Sequence, residues 1–351
     1  MRIAQVSPLF ESVPPQLYGG TERIVACLTD ELVRQGHEVT LFASADSHTA
    51  ARLYPVCPRA LRLDSSVRDP DAYQTLMIEK VLQQSATFDV IHFHIDHQYF
   101  PLSRYLKTPF VHTHHGRLDM PELLPLFSEF SEVPLVSISN AQRAPVPHLN
   151  WQATVYHGLP RNCVEFNPRR GDYLAFLGRV SPEKGLHLAV EIARRAGMPL
   201  KVAAKIDRHD IDFYESTIVP LLGSPGVEFL GEIGGRDKDA LLRNAYALLF
   251  PIAWPEPFGL VMIEALAAGT PVIAYGRGSV PEIIAHGKTG WIVDGIDEAV
   301  AAVGKIPQLD RAACRRAFEE RFSVERMTRD YLNVYANLVA QVKRRARAAL
   351  A

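Results

Sequence analysis

Two glutamates eight residues apart, Glu256 and Glu264, stand in the segment FPIAWPEPFGLVMIEALAAGTPVIA, residues 250–274, and both suit the recognition of hydroxyl groups. After Pro257, the run Phe258–Ala268 reads as a helix that is apolar or small on nearly every side, hence a buried one. Glu264 is the only charged residue in that run. An unpaired carboxylate costs several kcal/mol to bury, so Glu264 must meet something polar. A pair of ligand hydroxyls is one partner, and a core Arg or Lys is the other. Glu256, at the mouth of the helix between Pro255 and Pro257, is placed to accept hydrogen bonds from sugar hydroxyls. The cations are elsewhere. Arg179 and Lys184 bracket the loop LGRVSPEKG, and two cations beside a helix start suit a diphosphate. A solvated charged loop, with Ser181-Pro182-Glu183 as ordinary helix initiation, is the other reading.

Further candidates lie in the first half. Gly19 and Gly20, in PPQLYGGTE, precede a helix and would let the backbone approach a ligand with its amides, although a glycine pair is also common turn punctuation. It is not a GxGxxG fingerprint, and no suitably placed acid follows the second strand, which disfavours a nicotinamide cofactor. In VHTHHGRLD, strand alternation puts His112 and His114 on one face as structural histidines and leaves His115 in the loop. No carboxylate or cysteine completes a metal set there. Asp69-Pro70-Asp71 and Asp210-Ile211-Asp212 match the letters of a DxD pair, but one sits at a helix start and the other in a loop-helix region. No metal is assigned.

Alternating strand and helix patterns must position these loops. Short apolar runs at Arg2–Ser7, Glu38–Ala43, Asp89–His94, Pro109–Thr113 and Pro134–Ser139 predict strands in the first half. Tyr173–Leu177, Leu200–Ala204, Val227–Leu230, Ala247–Pro251, Pro271–Ala274 and Trp291–Val293 do so in the second. Amphipathic stretches at Thr21–Gln35, Ala72–Ser85, Leu186–Ala196 and Lys238–Asn244 predict intervening helices. Such a pattern implies α/β domains with parallel sheets covered on both faces, which bind ligands beyond the carboxyl ends of their strands. At 351 residues two domains are expected, with a boundary in the turn-rich Tyr156–Arg170.

Composition narrows the class. A charged fraction of 22% against 47% hydrophobic is that of a soluble globular protein, and a net charge of −1 gives no general case for nucleic acid. Cys27, Cys57, Cys163 and Cys314 form no CxxC pair, which fits a reducing cytosol. The amino-terminal MRIAQVSPLF lacks the pattern of a signal peptide, and no apolar run is long enough to span a membrane, so a cytoplasmic protein is expected.

These motifs, taken in order and spacing, resemble the retaining family 4 glycosyltransferases over nearly the whole chain. The likeness rests on the Gly19-Gly20 loop, GRVSPEKG, Glu256 with Glu264, the HGLP turn at His157 and the terminal FSVERMTRDY. The resemblance implies the GT-B architecture, two Rossmann-like doubly wound parallel-sheet domains facing across a cleft. The domains would be 1–157 on the acceptor side and 158–323 for the donor, with a helix at about 324–345 packing back on the first. Arg179 and Lys184 would bind the diphosphate of a nucleotide-sugar donor, with Gly19, Gly20 and the amides of Phe258, Gly259 and Leu260 nearby. Glu264 would hold the ribose hydroxyls, Glu256 the hydroxyls of the transferred sugar, and His115 would contact that sugar. Glu232 and Ile233 would lie beside the base.

The chain departs from many relatives in carrying Ala203-Ala204-Lys205-Ile206-Asp207 where a glycine-rich loop is usual. Lys205 would add a third cation near the donor phosphates, unless a salt bridge to Glu232 engages it. The implied reaction is metal-independent transfer with retention, from a UDP-sugar such as UDP-glucose, to a glycan, lipid-linked or small-molecule acceptor. GDP-mannose is the alternative donor. An epimerase or hydrolase, or a non-catalytic sugar-nucleotide binding protein, is the alternative function. The acceptor is expected near Tyr18, Arg117 and Asp119, and the basic tail KRRARAAL offers a peripheral contact with anionic membrane, against a solvated helix end.

Overall fold

In a computed structural model of the protein, which describes residues 1–17 and 19–348, the chain divides into two units. One is Met1–Gly158 together with the carboxyl-terminal segment from Val324; the other is Leu159–Ser323.

The first unit holds a parallel sheet of β1 (Arg2–Val6), β2 (Glu38–Ala43), β3 (Arg52–Pro55), β4 (Val90–Phe93), β5 (Phe110–Thr113), β6 (Leu135–Ser137) and β7 (Trp151–Thr154). Their order is β3-β2-β1-β4-β5-β6-β7, so the winding reverses between β1 and β4. The interior strands are buried along almost their whole length, as near-continuous apolar runs require. The edge strands β3 and β7 were not legible as strands, because their residues are only partly buried and their sequences carry no apolar run. The helix Val324–Ala348 belongs to this unit and packs on the helix Gly20–Arg34 and on β4 and β5.

The second unit repeats the plan with β8 (Leu174–Arg179), β9 (Leu200–Lys205), β10 (Val227–Gly231), β11 (Ala247–Phe250), β12 (Val272–Tyr275) and β13 (Gly290–Val293). The order β10-β9-β8-β11-β12-β13 reverses between β8 and β11. Its core joins β8, β9 and β11 to the helices Leu186–Ala196 and Ile296–Lys305. In a doubly wound sheet, the reversal point opens a crevice at the carboxyl ends of the strands, and ligands bind there. Arg179 ends β8 and the segment after Phe250 leaves β11, so the two charged motifs of this unit flank that point. Among the described residues, no helix is long and apolar enough to cross a membrane.

Candidate active site

The all-apolar helix of the second unit starts later than its sequence suggests, at Leu260, and ends at Ala268. Phe258 lies ahead of it, and Gly259 caps it with φ 79°, a left-handed conformation that glycine takes without penalty. Phe258 is buried with its ring edge-on to Phe322, while Gly259 and Leu260 are half-buried. Glu256 therefore stands in the loop after β11, four residues before the helix. Ser279 closes over this loop: its amide donates to the Glu256 carbonyl at 2.9 Å and its hydroxyl to the Phe258 carbonyl at 2.7 Å.

Both glutamates are buried, Glu264 to 4% exposure and Glu256 to 8%, and both meet lysines. Lys184 Nζ lies against Glu256 Oε2, which also accepts from the Trp254 indole at 2.8 Å. The same ammonium sits 5.0 Å from the centre of the Trp254 ring, within cation–π range. Lys184 comes from the short 3-10 turn Pro182–Lys184, and Gly185 follows with φ 74°. A Cβ on Gly185 would run into the Pro251 carbonyl, so glycine lets the two motifs approach. Their backbones are also joined where the Ala253 amide donates to the Glu183 carbonyl at 2.8 Å.

Glu264 accepts from Lys238 at 2.6 Å. A core cation, one of the two partners open to it from sequence, is thus present in the folded chain. Lys238 was missed because it sits on the neighbouring helix Gly235–Arg243, 26 residues away, and no spacing rule links positions on separate helices.

Arg179 reaches Glu183 at 3.1 Å, Asp207 at 3.5 Å and Asp210 at 4.0 Å. Lys205, at the end of β9, pairs with Asp207 at 3.3 Å, an acid other than the Glu232 considered from sequence. Burial works to raise the Asp207 carboxyl, but Lys205 and Arg179 outweigh it and hold it below the ordinary carboxylate value. Asp210 thus serves Arg179, and Asp69 caps the helix Pro70–Gln84 through the Asp71 amide. Glu232 is exposed and Ile233 half-buried, both in the turn after β10.

In the first unit, Gly19 and Gly20 sit where the helix Gly20–Arg34 begins. Two turns of sequence around them hide a feature that composition did not reveal: Glu22 and Glu11 are both buried. Burial pushes the Glu22 carboxyl up to about 6, with Glu11 adding to the rise and Arg62, 3.0 Å from Glu11, opposing it. Arg117 and Asp119 bond to each other through two contacts of 2.6 and 2.8 Å. Tyr18 lies outside the described residues, as does the end of the basic tail.

His115 follows β5 and is half-buried. Its Nε2 bonds to His94 Nδ1 at 2.9 Å and its ring stacks on His157 at 5.2 Å between centres. The loop carrying it is pinned from below. Gln142 donates to the carbonyls of His114 and Gly116, at 2.8 and 2.7 Å. Burial, with a smaller contribution from His114, pushes the His115 imidazole down to about 3, and burial drives His92, His94, His112 and His157 well below the usual histidine value. The ring is therefore neutral at ordinary pH. His112 and His114 lie on the opposite side of β5, among Tyr99, Phe100 and Phe127.

Two family models match successive parts of the chain: Glycosyltransferase Family 4 at residues 18–159 and Glycosyl transferases group 1 at residues 165–313. The chain belongs to the family 4 glycosyltransferases. It is 27% identical to a glycogen synthase of Mycobacterium tuberculosis, over 97% of this chain and 94% of that one. It is 26% identical to a phosphatidyl-myo-inositol mannosyltransferase of Mycolicibacterium smegmatis, over 91% and 89%. Among solved structures, AviGT4, a glycosyltransferase involved in avilamycin A biosynthesis, superposes with a TM-score of 0.73 at 26% identity, covering 97% of this chain and 98% of its own. HepE of Anabaena in complex with UDP and glucose shares the fold with a TM-score of 0.73 at 18% identity, over 96% and 99%. This family 4 glycosyltransferase thus has the GT-B architecture, built from two parallel-sheet α/β domains.

Proposed function

We propose that this glycosyltransferase transfers a hexose with retention from a nucleotide-diphosphate sugar, a UDP-sugar such as UDP-glucose, to a carbohydrate or lipid-linked acceptor, without a metal. The observation that carries the reading is the lysine–glutamate pair Lys184–Glu256 beside Arg179 at the reversal point of the second sheet. Lys184 is oriented by Glu256 and Trp254 before any ligand arrives, and preorganised charge stabilises a developing anion more than mobile charge does.

The step begins as the bond from the anomeric carbon to the diphosphate oxygen breaks, and the electron pair leaves with the nucleoside diphosphate. Arg179 and Lys184 stabilise that charge, with Lys205 as a third cation. The acceptor oxygen then bonds the anomeric carbon from the same face, and its proton passes to the departing phosphate oxygen. Glu256 and His115 contact the transferred sugar, and Glu264, held by Lys238, accepts from the ribose hydroxyls. Glu232 and Ile233 lie along the base, and Gly19, Gly20 and the amides of Phe258, Gly259 and Leu260 approach the donor. On the acceptor side, Arg117 and Asp119 take part as a pair, with Tyr18.

The test is a thermal-shift panel of UDP-glucose, UDP-galactose, ADP-glucose and GDP-mannose, followed by NMR of the product anomer and assay in chelator. Stabilisation by a UDP-sugar, an α-linked product from the α-linked donor, and full activity in chelator are expected. Stabilisation by GDP-mannose alone would replace the donor, an inverted anomer would overturn retention, and loss of activity in chelator would overturn metal independence.

A further inference from the structure

Behind His115 runs a chain of hydrogen bonds that the reaction as proposed does not use. His94 Nε2 bonds to Gln5 Oε1 at 2.7 Å, and Gln5 Nε2 donates to the Tyr335 hydroxyl at 3.1 Å. That hydroxyl bonds to His92 Nδ1 at 2.7 Å, and His92 Nε2 bonds to Thr113 Oγ1 at 2.8 Å. Thr113 ends the chain on the Tyr331 hydroxyl at 3.1 Å. Gln5, His92, Tyr331 and Tyr335 are fully buried, and every member lies in the first unit.

A neutral imidazole has one donor nitrogen and one acceptor, so each bond dictates the next. An amide oxygen only accepts, so His94 Nε2 carries the proton and donates to Gln5. His94 Nδ1 is then an acceptor, and His115 must donate to it from Nε2. That leaves His115 Nδ1 as a bare lone pair, and it has no hydrogen-bond partner among the described residues. On the far side, the Tyr335 hydroxyl accepts from Gln5 and donates to His92 Nδ1, so His92 also carries its proton on Nε2.

Turning the Gln5 amide over would reverse every bond and make His115 Nδ1 a buried N–H without an acceptor. Orphaned buried donors are rarer in folded proteins than under-used acceptors, so the first polarity is favoured. Gln5 is the polarity-setting member, because its two ends differ chemically whereas hydroxyls and imidazoles work in either direction.

We propose that Gln5 and His94 are positioning residues that fix His115 as the Nε2–H tautomer, with the carboxyl-terminal helix contributing through Tyr335. This rests on the reading of His115 as a contact to the transferred sugar. Held so, His115 commits its one proton to the bond with His94 and has none left to donate to a phosphate oxygen.

The test is long-range 1H–15N correlation NMR on the full chain labelled in histidine, at pH 8, with kinetics on the same samples. In the wild type, His115 should show a protonated Nε2 and an unprotonated Nδ1. Gln5→Leu removes the acceptor and should give a tautomer mixture at His115, with transfer kcat falling about tenfold and donor KM within about twofold. Gln5→Glu keeps an acceptor for His94 and should preserve the His115 tautomer. Its carboxylate has no donor for Tyr335, so Tyr335 donates to it, and His92 should switch its proton to Nδ1. An Nδ1–H tautomer at His115 in the wild type would falsify the proposal without any variant, as would an unchanged tautomer in Gln5→Leu. The NMR arm needs no substrate. A His115→Ala variant with full transfer would therefore overturn the sugar contact and the kinetic arm separately from the tautomer assignment.

Discussion

The two units carry the same parallel-sheet plan but fill the carboxyl ends of their strands with opposite chemistry. At the carboxyl ends of β1, β4 and β5 of the first stand neutral rings, an amide and hydroxyls joined end to end, from His115 through Gln5 to Tyr331. Beyond β8, β9 and β11 of the second stand full charges in pairs, Lys184 with Glu256 and Lys205 and Arg179 with Asp207. Neutral donors and acceptors can be buried wherever each finds its complement, at a net gain of about 1 kcal/mol per bond. Charges survive burial only in pairs, and removing one member strands the other. On the proposed reading, the first arrangement orients a ring and the second holds electrostatic potential ready for an anion.

The contrast breaks most sharply at Lys184. On the proposed mechanism, Lys184→Ala should lower kcat/KM by about a hundredfold, since it would remove a cation from the developing phosphate charge and leave Glu256 buried without it. A loss under about threefold, measured with the donor identified by the thermal-shift panel, would take Lys184 out of the site.

A large stability effect is expected at Lys238. Lys238→Ala leaves Glu264 buried without its ammonium and should cost about 3 kcal/mol, read as a lower unfolding midpoint. The double variant Lys238→Met with Glu264→Gln should recover part of that stability while still losing donor affinity.

Acid should act more on the first unit, with its several depressed histidines, than on the second, where burial lowers His187. The buried histidines of the first unit have folded values below the unfolded 6.5, so the unfolded chain binds more protons between those values. Their stabilisation is present above about pH 6.5 and is lost as pH falls below it. A single group at about 3, such as His115, accounts for about 2 kcal/mol at pH 5. Glu22, raised to about 6, works in the opposite sense between its unfolded and folded values, as one group against several. Urea unfolding at pH 7.5 and pH 5 checks the sum, and equal stability at the two would contradict the buried neutral cluster.

Smaller effects sharpen the comparison. Lys205→Ala should weaken donor binding a few-fold, roughly what one of three cations supplies at a partly screened site. Unchanged affinity in titration calorimetry would reduce Lys205 to a structural partner of Asp207. Arg117→Ala should change stability by less than about 1 kcal/mol, because its pair with Asp119 is solvated. Its effect would appear only in acceptor KM.

Much of this was written along the chain. Near-continuous apolar runs specified parallel strands buried on both faces, and the glycines at 185 and 197 bound the helix Leu186–Ala196 at the ends its periodicity predicts. The motif spacing around Arg179, Lys184, Glu256 and Glu264 was enough to point to the family. The edge strands were hidden because a half-exposed strand need not be apolar. Only tertiary structure decided the partners. Lys238 meets Glu264 across two helices, Asp207 meets Lys205 at a strand end, and Tyr335 meets Gln5 from 330 residues away. Residue type limits what a buried polar group can accept as a partner, but which partner arrives is set by the packing of elements distant in sequence.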